Sequence, residues 1–231
     1  MNSLYGIASF LRIITKSDIT GNMRDSSYEV MERAKRQKNG GNPEGAAATL
    51  ETYLATDPGN HKARTLLSNI YIYDLGEFEF GIFQLDAILE RDPDNIVGMK
   101  AKATALSAYK KHNRETDELF LRILELDPSA DVYSAYGRFL RMQMLDFRGS
   151  AEYFRKAIEL EPNDVDHRVN YVSVLLNDLK EFVRAKKELE IILKLDPENY
   201  TVRDNLTKLM KKHFYKDGNL KKGFMHRPKK R

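Results

Sequence analysis

Few side chains in this sequence have the types and the spacing that catalysis or metal binding requires. The five histidines lie far apart, and none forms an HExxH pair or another recognised metal-ligand spacing: His61, His112, His167, His213 and His226. The absence of cysteine from the sequence excludes thiol catalysis, a thiolate zinc site and a disulfide scaffold. We therefore predict a protein that is not an enzyme, with no metal site, no cofactor and no small-molecule substrate.

The glycine-rich stretch NGGNPEG at residues 39–45 is the remaining candidate for chemistry. It lacks the Gly-Lys-Ser/Thr sequence with which such loops hold phosphate. Asn42 is a good helix N-cap and Pro43 a good first helical residue. The stretch therefore predicts a turn between two helices.

One short sequence motif recurs five times along the chain, and each copy contains a proline. The five prolines are separated by 35, 35, 34 and 35 residues, in the phrases LATDPGN, LERDPDN, LELDPSA, IELEPND and LKLDPEN around Pro58, Pro93, Pro128, Pro162 and Pro197. A fixed period of this length indicates one supersecondary unit stacked on copies of itself.

Each phrase predicts a helix end, a tight turn and a new helix. Proline disfavours helical geometry in the residue before it and cannot continue a helix. Two residues after four of the prolines stand good N-cap residues, namely Asn60, Asn95, Asp164 and Asn199. In the third phrase Ala130 occupies this position, and we expect Asp131 to serve as the cap.

A small residue stands twelve residues before each of these prolines, and another stands twelve or thirteen residues before that. A large apolar residue lies eight residues before each proline. This pattern is how antiparallel helices approach closely and interlock. The small residues are Ala34, Ala46, Ser68, Gly81, Ala103, Thr116, Gly137, Ser150, Ser173 and Ala185, and the large ones are Leu50, Leu85, Phe120, Phe154 and Leu189.

In these features the chain resembles the tetratricopeptide repeat family. The resemblance implies an all-α fold, a right-handed superhelical solenoid of about five antiparallel helix pairs with a C-terminal capping helix. The divisions we expect are an apolar N-terminal extension at 1–26, repeats at 27–60, 61–95, 96–129, 130–165 and 166–200, a capping helix at 201–216 and a basic tail at 217–231.

The same resemblance implies that the first helix of each repeat lines a concave groove that binds peptide. Counting positions 2, 5, 9 and 12 of each repeat also places Ile72, Ser134, His167 and Val174 on this wall. Asparagine amides can pair with an extended peptide backbone, and lysine and arginine can bind acidic side chains. The groove residues we predict are Lys62, Thr65, Asn69, Lys100, Thr104, Arg138, Arg141, Asn170, Asn177 and Asn205.

The basic residues are concentrated at the C-terminus. Residues 207–231 hold ten Lys/Arg and one acidic residue, whereas the rest of the chain holds 28 basic and 33 acidic residues. This asymmetry is typical of proteins that bind phosphates, acidic lipid or an acidic protein surface, although a basic end can also serve solubility alone. The possible phosphate-binding residues, in a segment that we expect not to fold by itself, are Lys221, Lys222, Phe224, Arg227, Lys229, Lys230 and Arg231.

The N-terminal residues 3–16 predict an amphipathic helix with a broad apolar face. Its apolar run is too short to span a bilayer, which requires about 20 residues. The helix could cover the first repeat, mediate self-association or lie on a lipid surface.

The sequence as a whole predicts a scaffold or adaptor that binds an extended, acidic peptide segment of a protein partner. Two alternatives remain open. One is an RNA- or ribosome-associated protein that acts through residues 217–231, and the other is a membrane-surface assembly factor anchored by residues 3–16. We expect a cytoplasmic location.

Overall fold

A computed structural model of the chain describes residues 26–108 and 112–221. The described residues form two compact units, one that ends at Gly98 and one that begins at Met99. The first unit holds α1 (Ser27–Asn39), α2 (Pro43–Thr56), α3 (His61–Asn69), α4 (Phe78–Leu89) and the start of α5 (Ile96–Leu106). The second holds the rest of α5 with α6 (Asn113–Leu126), α7 (Ala130–Phe139), α8 (Phe147–Leu160), α9 (Val165–Val174), α10 (Phe182–Leu195) and α11 (Tyr200–His213).

Three of the helices continue into a π-helical turn, which widens the last part of the helix. These turns are Ile70–Asp74 after α3, Leu140–Met144 after α7 and Leu175–Leu179 after α9. Two of them end at a residue in the left-handed conformation, Leu145 with φ of 55° and Lys180 with φ of 59°. The wider turn rotates the residues that follow it relative to an unbroken α-helix.

The predicted N-caps at four proline turns are confirmed. The side-chain oxygens of Asn60, Asn95, Asp164 and Asn199 each accept a hydrogen bond from a backbone N–H three residues later, at 2.8 to 3.1 Å. The cap at Asn42 and the first helical position of Pro43 are also as predicted.

The prediction of Asp131 as the cap of the fourth repeat is wrong. The helix α7 begins at Ala130 with Ser129 at the N-cap position, where it makes no side-chain capping bond. Asp131 thus lies inside the first helical turn. Because Ala130 has no side chain that could cap a helix, α7 starts two residues after its proline, whereas α3 and α9, which have caps at Asn60 and Asp164, start three residues after theirs.

The small residues lie between helices as predicted. Nine of the ten are buried, and Ser173 is half-buried. A Cβ atom at Gly81 would lie 2.3 Å from Ile72 Cγ1 and 2.9 Å from the Ser68 carbonyl oxygen, so α4 and α3 approach too closely for a larger residue. The five large apolar residues predicted between the helices, Leu50, Leu85, Phe120, Phe154 and Leu189, are all buried.

The last helix ends at His213, before the predicted residue 216, because the chain then turns back on itself. Phe214 is extended and pairs with Leu220 in an isolated antiparallel bridge. The turn between them has Gly218 at φ of 85° and a backbone bond from Tyr215 N to Asn219 O. Phe214 packs into the core of the second unit, so the segment after α11 is part of the fold.

Replacement of Gly81 by alanine tests the close approach of α3 and α4. Alanine normally favours a helix over glycine by about 1 kcal/mol, but here its methyl group would overlap Ile72 and Ser68. We expect Gly81→Ala to lower the free energy of unfolding by about 1–3 kcal/mol in urea denaturation. Gly137→Ala is the control, since its Cβ would lie 3.1 Å from the Phe154 ring and its effect should stay below about 1 kcal/mol. If the two substitutions lowered the free energy of unfolding equally, the close approach of α3 and α4 at Gly81 would not be the cause.

The stability of the second unit should depend on pH through His213. This side chain is buried and stacks on Phe182 with ring centroids 3.8 Å apart. Burial lowers its pKa below the ordinary 6.5, and the charges of Lys212, Lys221 and Lys180 lower it further. The unfolded chain therefore binds a proton near pH 6.5 that the folded chain does not, and the free energy of unfolding should fall as the pH drops below about 6.5.

Urea denaturation between about pH 5 and 7, where most carboxylates stay ionised, measures this slope. His213→Phe keeps an aromatic ring on Phe182 and removes the titration, so its slope should be flatter than that of the native protein.

Candidate functional site

The predicted groove residues of the first unit all lie on α3. Lys62 is exposed, and Thr65 and Asn69 are half-buried. The Thr65 hydroxyl donates its proton to the His61 backbone oxygen at 2.8 Å, so this hydroxyl can only accept a hydrogen bond from a ligand. Of these three residues, Lys62 and Asn69 are thus the ones whose side-chain hydrogen-bond donors could contact a ligand.

In the second unit, a cluster around Arg141 joins the π-helical turn after α7 to α9 and the π-helical turn that follows it. Its Nε donates to Asp178 Oδ2 at 2.6 Å, and its Nη1 donates to Ser173 Oγ at 2.9 Å. Asn177 donates to the same Ser173 oxygen at 3.3 Å. Arg141 and Asn177, both predicted for the groove, therefore lie together on the side where the first helices of two successive repeats meet.

The charge of Lys100 is also compensated within the protein. Its ammonium lies 2.6 Å from Asp127 Oδ2, and this hydrogen bond is the main cause that lowers the pKa of the Asp127 carboxyl. Thr104, one turn later, is exposed and donates to the Lys100 backbone oxygen. An acidic ligand would have to compete with Asp127 for Lys100 and with Asp178 for Arg141.

Four predicted residues of the second unit remain available. Arg138 is exposed and makes one weak contact, from Nη1 to Ser134 Oγ at 3.3 Å; within residues 26–108 and 112–221 it has no carboxylate partner. Asn177 and Asn205 are exposed and Asn170 is half-buried. This surface, Arg138 with Asn170, Asn177 and Asn205, is called the amide surface below.

Four residues that the same counting rule placed on the groove wall are buried: Ile72, Ser134, His167 and Val174. Ile72 lies inside a π-helical turn, where a 3.6-residue period no longer assigns faces correctly.

An arginine six residues after a proline closes three of the turns, a feature not predicted above from the sequence. Arg64 Nε donates to the Pro58 oxygen at 2.9 Å, Arg168 donates to the Pro162 oxygen at 2.8 and 3.1 Å, and Arg203 donates to the Pro197 oxygen. The recurrence of arginine at this spacing is visible in the sequence and could have revealed it. These arginines hold the turns.

A cleft of about 500 Å³ lies in the second unit between α8 and α10, over Tyr171. Its charged walls are largely paired: Arg184 contacts Glu181 at 2.8 Å, and Glu188 contacts Arg168 at 2.6 Å. Burial raises the pKa of the Tyr171 hydroxyl. The cleft therefore offers a polar wall with most of its charge already balanced.

One cluster of side chains in the described part of the chain has the composition of a metal site. Glu161, Asp164 and His167 each place one ligand atom within 4.8 Å of the others. The sequence motifs did not predict this cluster, because its spacing, Glu-x2-Asp-x2-His, is not among the familiar metal-binding patterns.

Of the predicted phosphate-binding tail, the structure describes Lys221. Its ammonium donates to the backbone oxygens of Lys211 at 2.9 Å and Lys212 at 3.3 Å, so it caps the C-terminus of α11. The other tail residues, Lys222, Phe224, Arg227, Lys229, Lys230 and Arg231, and the N-terminal helix at residues 3–16, lie outside the described residues.

Solved structures share this arrangement of helix pairs. MamA from residue 41 onward, of Desulfovibrio magneticus RS-1, aligns with a TM-score of 0.63 at 15% identity, over 78% of this chain and 99% of its own. A thermophilic tetratricopeptide repeat protein of Thermus thermophilus aligns with a TM-score of 0.59 at 13% identity, over 80% and 99% of the two chains. A tetratricopeptide repeat protein of Parabacteroides merdae aligns with a TM-score of 0.64 at 14% identity, over 79% and 72%.

These likenesses show the fold, and the prediction from the sequence is confirmed: the chain has an all-α helical-repeat fold of the tetratricopeptide type. No protein-family model and no curated protein matches the sequence. Within the part of the chain that the structure describes, no helix combines the length and the apolar character needed to cross a membrane.

The contacts of Arg168 predict that its replacement lowers the stability of the protein. Arg168 and Glu188 have side chains only 10% and 17% exposed, so Arg168→Ala would leave a largely buried carboxylate without its cation. We expect a loss of about 2–3 kcal/mol in the free energy of unfolding. Arg203→Ala, at the corresponding turn, removes an exposed arginine and should cost less than about 1 kcal/mol.

Urea denaturation of Arg168→Ala and Arg203→Ala compares their free energies of unfolding. Adding Glu188→Leu to Arg168→Ala removes the unpaired charge, so the double variant should recover part of the lost stability. A double variant less stable than Arg168→Ala would argue against the buried charge as the cause.

Proposed function

We propose that this protein is a non-enzymatic scaffold that binds a segment of a protein partner in extended conformation. The observation that carries the proposal is the amide surface, with Arg138 on α7, Asn170 on α9, Asn177 in the π-helical turn after α9 and Asn205 on α11. The helical-repeat fold supports it, because stacked repeats give extended binding surfaces.

The chemistry of the amide surface suits a peptide backbone. An asparagine side chain has both a carbonyl acceptor and an NH2 donor, so one residue can pair with a peptide C=O and a peptide N–H. Asn170 and Asn205 have no hydrogen-bond partner among the described residues, and the contact of Asn177 with Ser173 is long at 3.3 Å. These groups are therefore available without breaking strong internal bonds.

The charge of the surface favours an acidic residue in the ligand. Arg138 is exposed and close to a single hydroxyl, so a ligand carboxylate could form a bidentate pair with it at little cost. Arg141 and Lys100 are less suited, since each already pairs with a carboxylate. We infer a ligand with one acidic side chain at the Arg138 position, flanked by backbone contacts to the asparagines.

Selection from a display library of random unstructured decapeptides tests the proposal, with affinities of the selected peptides measured by fluorescence anisotropy. We expect peptides that contain Asp or Glu, and an affinity loss of at least about tenfold for Arg138→Glu. Asn170→Ala with Asn177→Ala should weaken all selected peptides regardless of their acidic residue. Enrichment of basic or purely apolar peptides would argue against the proposal.

Two matched controls separate the site from general charge effects. Arg148→Glu changes an exposed arginine on α8 by the same amount and should leave binding unchanged. The exchange Arg141→Asp with Asp178→Arg keeps the ion pair and should also preserve binding. Equal losses for Arg138→Glu and Arg148→Glu would mean that the amide surface is not the site.

The same experiment bears on the tail. Truncation should end after Lys221, because Phe214 and Leu220 belong to the fold of the second unit. Residues 1–221 should bind the selected peptides as the full chain does. If instead the full chain binds a single-stranded RNA oligonucleotide, with steep salt dependence, and residues 1–221 do not, the decisive contact would lie in the tail.

A further inference from the structure

In each proline turn an acidic residue stands directly before the proline, and the turn around Pro162 differs from the others in the group that lies next to this carboxylate. In three turns an asparagine amide donates to the acidic residue before the proline: Asn60 to Asp57 at 3.1 Å, Asn95 to Asp92 at 2.9 Å, and Asn199 to Asp196 at 3.0 Å. Each of these carboxylates is therefore satisfied by a neutral donor that also caps the next helix.

The turn at Pro128 shows what happens when the asparagine is missing. Ala130 occupies its position, and the carboxylate of Asp127 is instead paired with the ammonium of Lys100 at 2.6 Å. A cation has taken the place of the amide. At Pro162 the asparagine is also replaced, by Asp164, so a second carboxylate stands where the donor should be.

At the Pro162 turn, the residue three positions after the helix cap also differs from its counterparts in the other turns. Ala63, Gly98 and Val202 occupy this place after Asn60, Asn95 and Asn199, whereas His167 follows Asp164. The His167 side chain is 5% exposed, and its Nε2 is buried without a hydrogen-bond partner in the described part of the chain. Glu161 Oε2 lies 3.5 Å from this nitrogen, longer than a hydrogen bond between a protonated imidazole and a carboxylate.

We propose that Glu161, Asp164 and His167 bind a divalent transition-metal ion such as Zn2+. Two carboxylates and one imidazole are three of the ligands that zinc takes in proteins, and water would complete a tetrahedral site. Bonds of about 2.0–2.1 Å place tetrahedral ligand atoms roughly 3.3–3.4 Å apart, close to the 3.5 Å between His167 Nε2 and Glu161 Oε2.

The backbone holds two of these ligands in place. Asp164 caps α9, with Oδ1 accepting from His167 N at 2.9 Å, so its other oxygen can face an ion. Asp164 N donates to Glu161 O at 3.1 Å, which closes the turn. The Glu161 side chain is 56% exposed and can rotate to shorten its distance to the ion.

The choice of metal follows from the imidazole. Calcium and magnesium prefer oxygen ligands alone, whereas zinc and cobalt bind imidazole well. The ion would also supply the positive charge that Lys100 supplies at the Pro128 turn. None of the three ligands belongs to the amide surface, so the metal site does not depend on the proposed peptide binding.

Calorimetric titration of the full chain with ZnCl2 at neutral pH, repeated with CoCl2 and followed by visible absorption, tests the site. We expect one site for each metal, a tetrahedral cobalt spectrum, and no binding of Mg2+ or Ca2+. Asp164→Asn restores the residue found in three other turns, so this variant should fold normally and lose at least about tenfold in zinc affinity. His167→Gln should show the same loss, and circular dichroism checks that both variants are folded.

The matched control is His112→Gln, because His112 lies 3.5 Å from the single carboxylate of Glu115. This variant should bind zinc like the native chain. Absence of zinc binding by the native chain would overturn the proposal. It would also be overturned by equal zinc affinity of Asp164→Asn and the native chain, which would place any bound ion at other residues.

Discussion

The close approach of neighbouring helices is the constraint on which the rest of this structure depends. A helical repeat has no central core, so each helix buries its apolar face only against the helices next to it. Where α4 crosses α3, the space between the backbones is smaller than a methyl group at Gly81 would need. The large residues such as Leu85 then fill the space on either side of the crossing.

The proline turns impose a second constraint, which is electrostatic. Each turn places an acidic residue at the end of a helix, where the carbonyl groups already carry partial negative charge. A donor or a cation is needed nearby, and the chain uses an asparagine amide in three turns and a lysine in another. Arginines that donate to the proline oxygens at three of the turns satisfy further carbonyl groups.

The sequence was sufficient for those features that depend on local spacing. The period of the prolines, the small residues and the asparagine caps each act within one repeat, and they predicted the helical-repeat fold and four caps correctly. Local spacing failed where a π-helical turn changes the register, as at Ile72, and where α7 begins early, so that Asp131 lies in the first helical turn and is not the cap. Contacts between residues far apart in the sequence could not be predicted, because the partners of Arg141 and Arg168 lie 37 and 20 residues away.

The internal pairing of Arg141 and Lys100 bears on the selectivity of the proposed peptide-binding surface. Counting residues suggested a basic groove, but Arg141 and Lys100 are already paired with Asp178 and Asp127. A ligand carboxylate that approached either cation would have to replace an existing ion pair, and the exchange yields little net free energy. Recognition by general positive charge is therefore disfavoured. On the proposed peptide-binding function, the amide surface offers one arginine without a carboxylate partner among the described residues, together with three asparagines. The position of an acidic residue along an extended ligand should then matter more than the total charge of the ligand.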